Sequence, residues 1–209
     1  HVRPTSLSLI FALALGGATT MLSQEAPVVL ALDSSRSLSP KESRAAGALA
    51  KELLAGLPPA ASSGVLLFDD EVRWLARPGT PGSPGAAAEL DAMTPAGRFT
   101  VLNDGLIEGV RALDKGGVLV LLSDGRDENS ATTLEDAARL ASERGVHLVT
   151  VAAGRADERT LRRLALLTGG LYAGPVGKLD TAALLQSIEA LRRDVEAERL
   201  ARAPAAPLR

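Results

Sequence analysis

Short apolar runs alternate along the chain with longer stretches in which apolar residues recur at helical spacing. Four uninterrupted apolar runs have the length of a strand, and Leu171–Ala173 adds a shorter one. Such runs are typical of parallel strands that helices cover on both faces of a sheet. The pattern therefore predicts buried strands at Val28–Leu32, Gly64–Phe68, Val118–Leu122 and Val146–Val151.

One further strand is expected to run against the others. Val72–Ala76 follows the run Gly64–Phe68 so closely that no room is left for the crossover that a parallel neighbour needs. It is therefore predicted as an antiparallel edge strand. Together the elements indicate an α/β fold with a doubly wound, mostly parallel central sheet of about six strands, one antiparallel edge strand, and helices on both faces.

Helix signals occupy the intervals between the strands. Ser39–Glu42 has the form of a capping box with Pro40 at the first helical position, which predicts a helix from about Pro40 to Ala55. Polar capping residues and closing glycines predict helices from Thr133 to Gly145 and from Asp157 to Gly169, and Asp180 can cap the last helix. A short helix around Ala86–Ala92 is expected within the long irregular segment Arg77–Gly97.

The amino-terminal segment has the pattern of a secretory leader. Arg3 precedes an uncharged run, Thr5–Ser23, whose centre is almost wholly apolar, and cleavage is expected after about Ala18. The run also approaches the ~20 residues that span a bilayer, so an uncleaved anchor is the alternative and the one expected route to a membrane. We expect export to the periplasm, the envelope or the outside. The predicted divisions are a signal peptide or anchor over 1–23, one domain over 26–200 and a flexible tail over 201–209.

Composition excludes several classes of function. Lys and Arg number 23 against 25 Asp and Glu, a net charge of −2, so there is no basic field to gather nucleic acid. Aromatic residues make up 2% of the chain, too few for a base-stacking platform. The absence of cysteine excludes disulfides, thiolate catalysis and cysteine-ligated metals. We therefore expect no nucleic-acid partner.

Oxygen-bearing side chains stand at the predicted strand ends. Asp33, Ser35 and Ser37 follow the first strand in alternation, and Asp124 follows a later one. In a doubly wound sheet, ligands bind outside the carboxyl ends of the strands, where strand order reverses. Carboxylate and hydroxyl oxygens without histidine or cysteine suit a hard cation, Mg²⁺ first and then Mn²⁺ or Ca²⁺. Together with Thr100, these residues are the candidate metal ligands.

The same residues resemble the metal ion-dependent adhesion site of von Willebrand factor type A (VWA) domains. The resemblance rests on Asp33-Ser-Ser-Arg-Ser37, on Thr100 in Thr-Val-Leu-Asn-Asp-Gly-Leu, and on Asp124 in Val-Leu-Leu-Ser-Asp-Gly. It implies a magnesium ion held by both serines and the threonine, with the two aspartates acting directly or through water. One coordination position is then open to a glutamate or aspartate of a protein partner.

Other polar residues near these motifs have less direct roles. Asp104 is expected on a helix, where it fixes the threonine loop by hydrogen bonding or supports the ion from beyond its direct ligands. Asp127 is expected as a solvated loop charge, with tuning of the ion as the alternative. His147 is predicted to pack in the core. The sequence departs from the family pattern at Ala96–Phe99, which replaces the glycine pair that commonly precedes the threonine.

Enzyme motifs are absent from the places where they would be needed. Ser35 stands where a haloacid dehalogenase-like phosphatase needs a second aspartate, and the sequence has neither a Gly-x-Ser-x-Gly elbow nor a Gly-x-Gly-x-x-Gly loop. The resemblance therefore favours an exported, non-enzymatic interaction module that binds a partner's acidic residue through the ion. Two alternatives stay open: a metal-stabilised structural subunit of an envelope assembly with no external ligand and, more distantly, a magnesium-dependent hydrolase.

Overall fold

The computed structural model describes residues 25–57, 63–80 and 84–202, which contain six strands and six α-helices. The predicted leader and most of the predicted tail lie outside these ranges, although the last helix includes Ala201 and Arg202. No helix within the ranges combines the length and the apolar character that a membrane crossing requires. In chain order the elements are β1 (Val28–Asp33), α1 (Pro40–Gly56), β2 (Ser63–Phe68), β3 (Val72–Ala76), α2 (Pro84–Asp91), α3 (Leu102–Ala112), β4 (Gly117–Ser123), α4 (Leu134–Arg144), β5 (Val146–Ala152), α5 (Glu158–Leu167), β6 (Leu171–Pro175) and α6 (Thr181–Arg202).

The strands form one sheet in the order β3-β2-β1-β4-β5-β6, in which every neighbouring pair is parallel except β2 and β3. The predicted fold class and its antiparallel edge strand are thereby confirmed. After β1 the chain builds outward through β2 and β3, then crosses to the other side of β1 and continues through β4, β5 and β6. Strand order therefore reverses between β1 and β4, whose carboxyl ends carry Asp33 and Ser123.

Alternate side chains of the central strands enter two separate hydrophobic cores, one on each face of the sheet. Val28, Leu30 and Leu32 of β1 pack in the core that includes α1, α2 and α6. Val29 and Ala31 pack in the core that includes α3, α4 and α5. All five side chains are fully buried. The two cores hold the central strands from both sides, so that the loops at their carboxyl ends meet at one edge.

Local capping chemistry sets the helix ends largely as the sequence predicts. Ser39 accepts a hydrogen bond from the Glu42 N–H, and the Glu42 carboxylate accepts one from the Ser39 N–H at 2.7 Å. Gly145 closes α4 with a φ of +66°, a backbone conformation that side chains rarely adopt. The start of α3 carries no capping signal in the sequence, because Val101 before its first turn has no capping side chain.

A buried arginine joins the last helix to the segment just before β1. Arg192 on α6 is 3% exposed, and its Nε donates to the Ala26 carbonyl at 2.8 Å. Its two terminal nitrogens pair with Glu25 and Glu189 at 2.8 and 2.5 Å. This guanidinium can be buried because each of its nitrogens finds an acceptor. Sequence patterning does not reveal the contact, since Arg192 and Glu25 are 167 residues apart.

We expect Arg192→Ala to lower the free energy of unfolding by about 2 to 3 kcal/mol. The loss is smaller than the ~3–5 kcal/mol of a fully buried pair because both glutamates are partly exposed. Arg193→Ala is the matched control, since the Arg193 Nε donates to the Glu189 carbonyl at 3.3 Å from an exposed position. Urea unfolding followed by circular dichroism measures both variants, and equal stability of the two would contradict the role assigned to Arg192.

Candidate metal centre

Two aspartates lie together where the strand order reverses. Asp33 ends β1 and is fully buried, and Asp124 directly follows the adjacent strand β4 and is 1% exposed. The Asp33 carboxylate accepts hydrogen bonds from the Ser35 N–H at 2.9 Å and from the Ser123 hydroxyl at 2.8 Å. The Arg126 N–H donates to Asp124 Oδ1 at 3.0 Å. The structure thus brings the two predicted carboxylates to one edge of the sheet.

The segment after β1 carries two serine hydroxyls beside this pair. The Oγ atoms of Ser35 and Ser37 are 2.9 Å apart. Neither serine caps α1, because Ser39 fills that role. Ser35 is buried and Ser37 is exposed, so one hydroxyl lies in the interior of the site and the other at its surface.

Thr100 enters the site on a loop that is bonded to both neighbouring loops. Its carbonyl accepts from the N–H groups of Glu128 and Asn129 at 2.9 and 3.2 Å, and the next residue, Val101, donates to the Asp69 carbonyl at 2.9 Å. Thr100 is 1% exposed, yet its hydroxyl has no hydrogen-bond partner among the described residues. A buried hydroxyl without a partner costs about 1–3 kcal/mol, so this oxygen requires a physical explanation.

Burial makes the ionised form of Asp33 costly. Desolvation raises the pKa of Asp33 from 3.8 to about 6, although hydrogen bonds from Ser35 and Ser123 lower it, and the nearby Asp124 carboxylate raises it further. A raised pKa means that this group stabilises the fold below pH 3.8, and that its contribution is lost as the pH rises through about 6. At neutral pH a nearby cation would offset this cost.

Asp104 and Asp127 are both engaged by protein groups. The Asp104 carboxylate accepts from the N–H groups of Ala131 and Thr132 and from the Thr132 hydroxyl, at distances between 2.6 and 3.2 Å. It thus anchors the segment before α4, whereas the sequence analysis gives it hydrogen bonds to the threonine loop. Asp127 accepts from the Asn103 N–H at 3.2 Å and so caps α3 from a separate loop. Both carboxylates tie the loop after β4 to α3.

Two acids in the turn between β2 and β3 bind the loops at this edge of the sheet, a role that their sequence motif does not predict. Asp69 accepts from the Ser34 hydroxyl at 2.9 Å. Asp70 accepts from the N–H groups of Arg98 and Phe99, at 2.9 and 2.7 Å, and these bonds lower the pKa of Asp70. The signal that could have found both acids is their position after a predicted strand that ends at the same sheet edge.

The segment before Thr100 lies against two other loops. The Ala96 N–H donates to the Ser34 carbonyl at 2.8 Å. A side chain at position 97 would collide with Asp69, so Gly97 permits the close approach of the backbone. Gly97 alone therefore allows the backbone before Thr100 to lie against Asp69, although the glycine pair of the family pattern is missing here.

His147 lies at the opposite end of the sheet. It pairs with Val118 near the start of β4, whereas Ser123 at the end of β4 pairs with Ala152. The distance along β5 from His147 to Ala152 is about 17 Å at the usual rise of a strand. The imidazole is half-buried, with its Nδ1 3.0 Å from the Gly169 carbonyl. It belongs to the packing of that end and does not reach Asp33.

The candidate ligands at this edge are all oxygen atoms. Within the described ranges, no three aspartate, glutamate, histidine or cysteine side chains converge as a metal cage. A cation here would therefore need hydroxyl ligands in addition to the two carboxylates. The unpartnered Thr100 hydroxyl fits that requirement, and oxygen ligands of this kind suit a hard divalent ion.

Solved structures with the same fold include metal-bearing proteins. An aerotolerance-related membrane protein from Bacteroides fragilis matches with a TM-score of 0.67 and 15% identity over 81% of this chain and 99% of its own. Proximal thread matrix protein 1 from the mussel byssus, with a zinc-occupied MIDAS motif, matches with a TM-score of 0.61 and 19% identity over 80% of this chain and 48% of its own. This chain therefore spans about half of the mussel protein. Manganese-loaded TRAP protein from Plasmodium vivax matches with a TM-score of 0.57 and 18% identity over 81% of this chain and 74% of its own.

These identities establish a common fold, and a family comparison is more specific. No curated protein matches the sequence. The model of the von Willebrand factor type A domain matches residues 28–190, which extend from the first residue of β1 into α6 and include the whole sheet. The chain therefore belongs to the von Willebrand factor type A domain family.

Proposed function

We propose that this chain is an exported, non-enzymatic interaction module that binds a carboxylate of a protein partner through a divalent cation. Mg²⁺ is the ion that the oxygen ligands suit best, with Mn²⁺ or Ca²⁺ as substitutes. Export is proposed from the sequence of residues 1–23. The residues that would hold the cation are Asp33, Ser35, Ser37, Thr100 and Asp124.

The observation that carries the proposal is the unpartnered hydroxyl of Thr100 at the same sheet edge as the buried carboxylates of Asp33 and Asp124, since a missing partner alone also occurs at Ser43 on α1. A buried threonine with a purely structural role usually has a partner, as Thr150 does: its hydroxyl donates to the Leu161 carbonyl at 3.0 Å. The Thr100 hydroxyl lacks one, and Asp33 at the same edge is costly to ionise. Both groups would gain a favourable partner from a single cation.

The protein groups would leave such a cation attractive to an external acid. When bound, a divalent ion supplies the positive centre to which a partner's carboxylate bonds. Ser35, Ser37 and Thr100 supply neutral oxygens, so Asp33 and Asp124 alone oppose the charge of the ion. Asp33 also accepts two hydrogen bonds, which spread its negative charge. An incoming carboxylate can therefore form a charge-assisted bond.

The loops are held together by protein hydrogen bonds, which favours partner binding over a purely structural metal. The segment after β1 is bonded to the segment before Thr100, and the Thr100 carbonyl is bonded to residues 128–129. These bonds order the hydroxyls without help from an ion. Because Ser37 is exposed, the candidate ligand set reaches the surface, where a partner can approach it.

A hydrolase receives less support from the same geometry. The histidine within the described ranges, His147, lies about 17 Å along β5 from the end that adjoins the site. This separation argues against His147 as a general base for chemistry at Asp33.

We expect Thr100→Val to weaken Mg²⁺ binding by about tenfold or more, because an oxygen ligand is removed. The free energy of unfolding in EDTA should stay the same or rise by about 1 kcal/mol, because valine removes a buried hydroxyl that has no partner. Calorimetric titration with magnesium chloride measures the first quantity, and urea unfolding in EDTA measures the second.

Thr150→Val is the matched control, since it makes the same change at a fully buried threonine whose hydroxyl has a partner. It should lower the free energy of unfolding by about 1–2 kcal/mol and leave Mg²⁺ affinity intact. If Thr100→Val lost stability in EDTA as the control does and kept its Mg²⁺ affinity, the Thr100 hydroxyl would be structural.

We expect the protein, immobilised in magnesium chloride, to retain a partner from an envelope extract and to release it into EDTA. Asp33→Ala should retain none, because it loses a charged ligand of the ion. Quantitative mass spectrometry of the eluates measures the retention.

Asp114→Ala is the control for that experiment, because it removes one exposed carboxylate shortly before β4 begins. Asp114 therefore lies at the end of the strands that is opposite to the candidate metal centre. It should retain the partner as the unaltered chain does. Retention that survives both EDTA and Asp33→Ala would refute metal-mediated binding.

A further inference from the structure

One large apolar side chain is exposed beside the candidate metal centre. Phe99 is 44% exposed and directly precedes Thr100. The other large hydrophobic residues exposed within the described ranges are Leu166, Leu167 and Leu200, near the carboxyl ends of α5 and α6. A single exposed phenylalanine is ordinary, so its surroundings decide whether it has a function.

The backbone that carries Phe99 is fixed on both sides. The Asp70 carboxylate accepts from the N–H groups of Phe99 and Arg98, at 2.7 and 2.9 Å. On the other side, Thr100 is buried and its carbonyl is bonded to the loop after β4. A side chain on so constrained a loop loses little backbone freedom when a partner binds, which lowers the entropic cost of association.

Two arginines belong to the segments around this phenylalanine. The Arg98 guanidinium carbon is 5.7 Å from the centroid of the Phe99 ring, and the Arg36 N–H donates to the Gly97 carbonyl on the adjacent segment. Both arginines are exposed, and neither forms an ion pair with a carboxylate of the described residues. The positive charges of Arg98 and Arg36 help to lower the pKa of Asp70, but the hydrogen bonds of that carboxylate come from the backbone N–H groups of Arg98 and Phe99. Guanidinium donors therefore remain for an external acid.

We propose that Phe99, Arg98 and Arg36, here called the aromatic rim, select the partner by accepting an apolar side chain and a second carboxylate beside the acid that binds the cation. The inference rests on the proposed function and adds the partner's sequence type to it. The partner is a protein segment in which a glutamate or aspartate is accompanied by a large apolar residue and a further acid. Phenylalanine and arginine are both enriched in protein interfaces relative to the rest of the surface.

Charge on the neighbouring turn restricts where the second acid can lie. The turn between β2 and β3 carries Asp69, Asp70 and Glu71, and these three acids line a shallow hollow beside it. Arg73 also lines the hollow, but its guanidinium is paired with Glu89 at 2.7 Å, so the acids outnumber the cation there. A carboxylate placed over that hollow would be repelled. The second acid of the partner is therefore expected beside the guanidinium groups of Arg36 and Arg98. This preference fixes the orientation in which the partner segment lies across the site.

A randomised peptide library with one fixed glutamate, panned on the immobilised protein in magnesium chloride, tests the inference. Enriched peptides should share a large apolar residue and a second acid at constant spacing from the fixed glutamate. Phe99→Ala should weaken the binding of an enriched peptide by about tenfold. Mg²⁺ affinity should not change, because the ring supplies no metal ligand. Arg98→Ala should reduce the preference for the second acid.

Leu166→Ala is the matched control, because Leu166 is a large apolar residue that is 81% exposed. It lies at the carboxyl end of α5, whereas the loop after β5 leads into the amino end of that helix. It should leave peptide binding unchanged. Magnesium-dependent peptides that show no apolar preference and bind Phe99→Ala equally well would overturn the aromatic rim and leave the proposed function standing. If no peptide is enriched, or if enriched peptides bind equally in EDTA, the proposed function fails and this inference fails with it.

Discussion

The close approach of two buried carboxylates is the constraint on which the rest of the molecule depends. Asp33 and Asp124 reach one place because β1 and β4 are adjacent parallel strands, and two hydrophobic cores hold those strands from opposite sides. Burial raises the pKa of Asp33 to about 6, because the protein replaces the water that would solvate its charge. Hydrogen bonds from Ser35 and Ser123 offset part of this cost. The remaining cost is the physical reason to expect a cation at this edge.

The acids around this pair hold the loops in place. Asp69 binds the segment after β1, Asp70 binds the backbone before Thr100, and Asp104 and Asp127 join α3 to the loop after β4. Their oxygens are therefore occupied by donors of the protein itself. This arrangement orders the surface in advance of any partner, which makes binding less costly in entropy.

The candidate metal centre and the buried arginine contacts lie at opposite ends of the strands. The carboxyl ends of β1 and β4 carry the candidate ligands, whereas the chain just before β1 is fixed to α6 by the buried Arg192. His147 packs at that second end as well. Because Arg192 and the candidate ligands share no hydrogen-bond partner, a change in the arginine contacts should act on unfolding more than on the ligand set.

Sequence patterning by itself determined the strands, the antiparallel edge, most helix caps and the five candidate ligands. These features depend on neighbours within a few residues, on apolar periodicity, or on motifs that recur at fixed order. Tertiary structure alone decided that Asp104 binds the segment before α4, that Asp127 binds the start of α3, and that Arg192 reaches Glu25. It also left the Thr100 hydroxyl buried without a partner. The contacts of Asp104, Asp127 and Arg192 join segments that are far apart in the chain. Periodicity and capping carry no information about such pairs, because the packing of the whole sheet sets which segments meet.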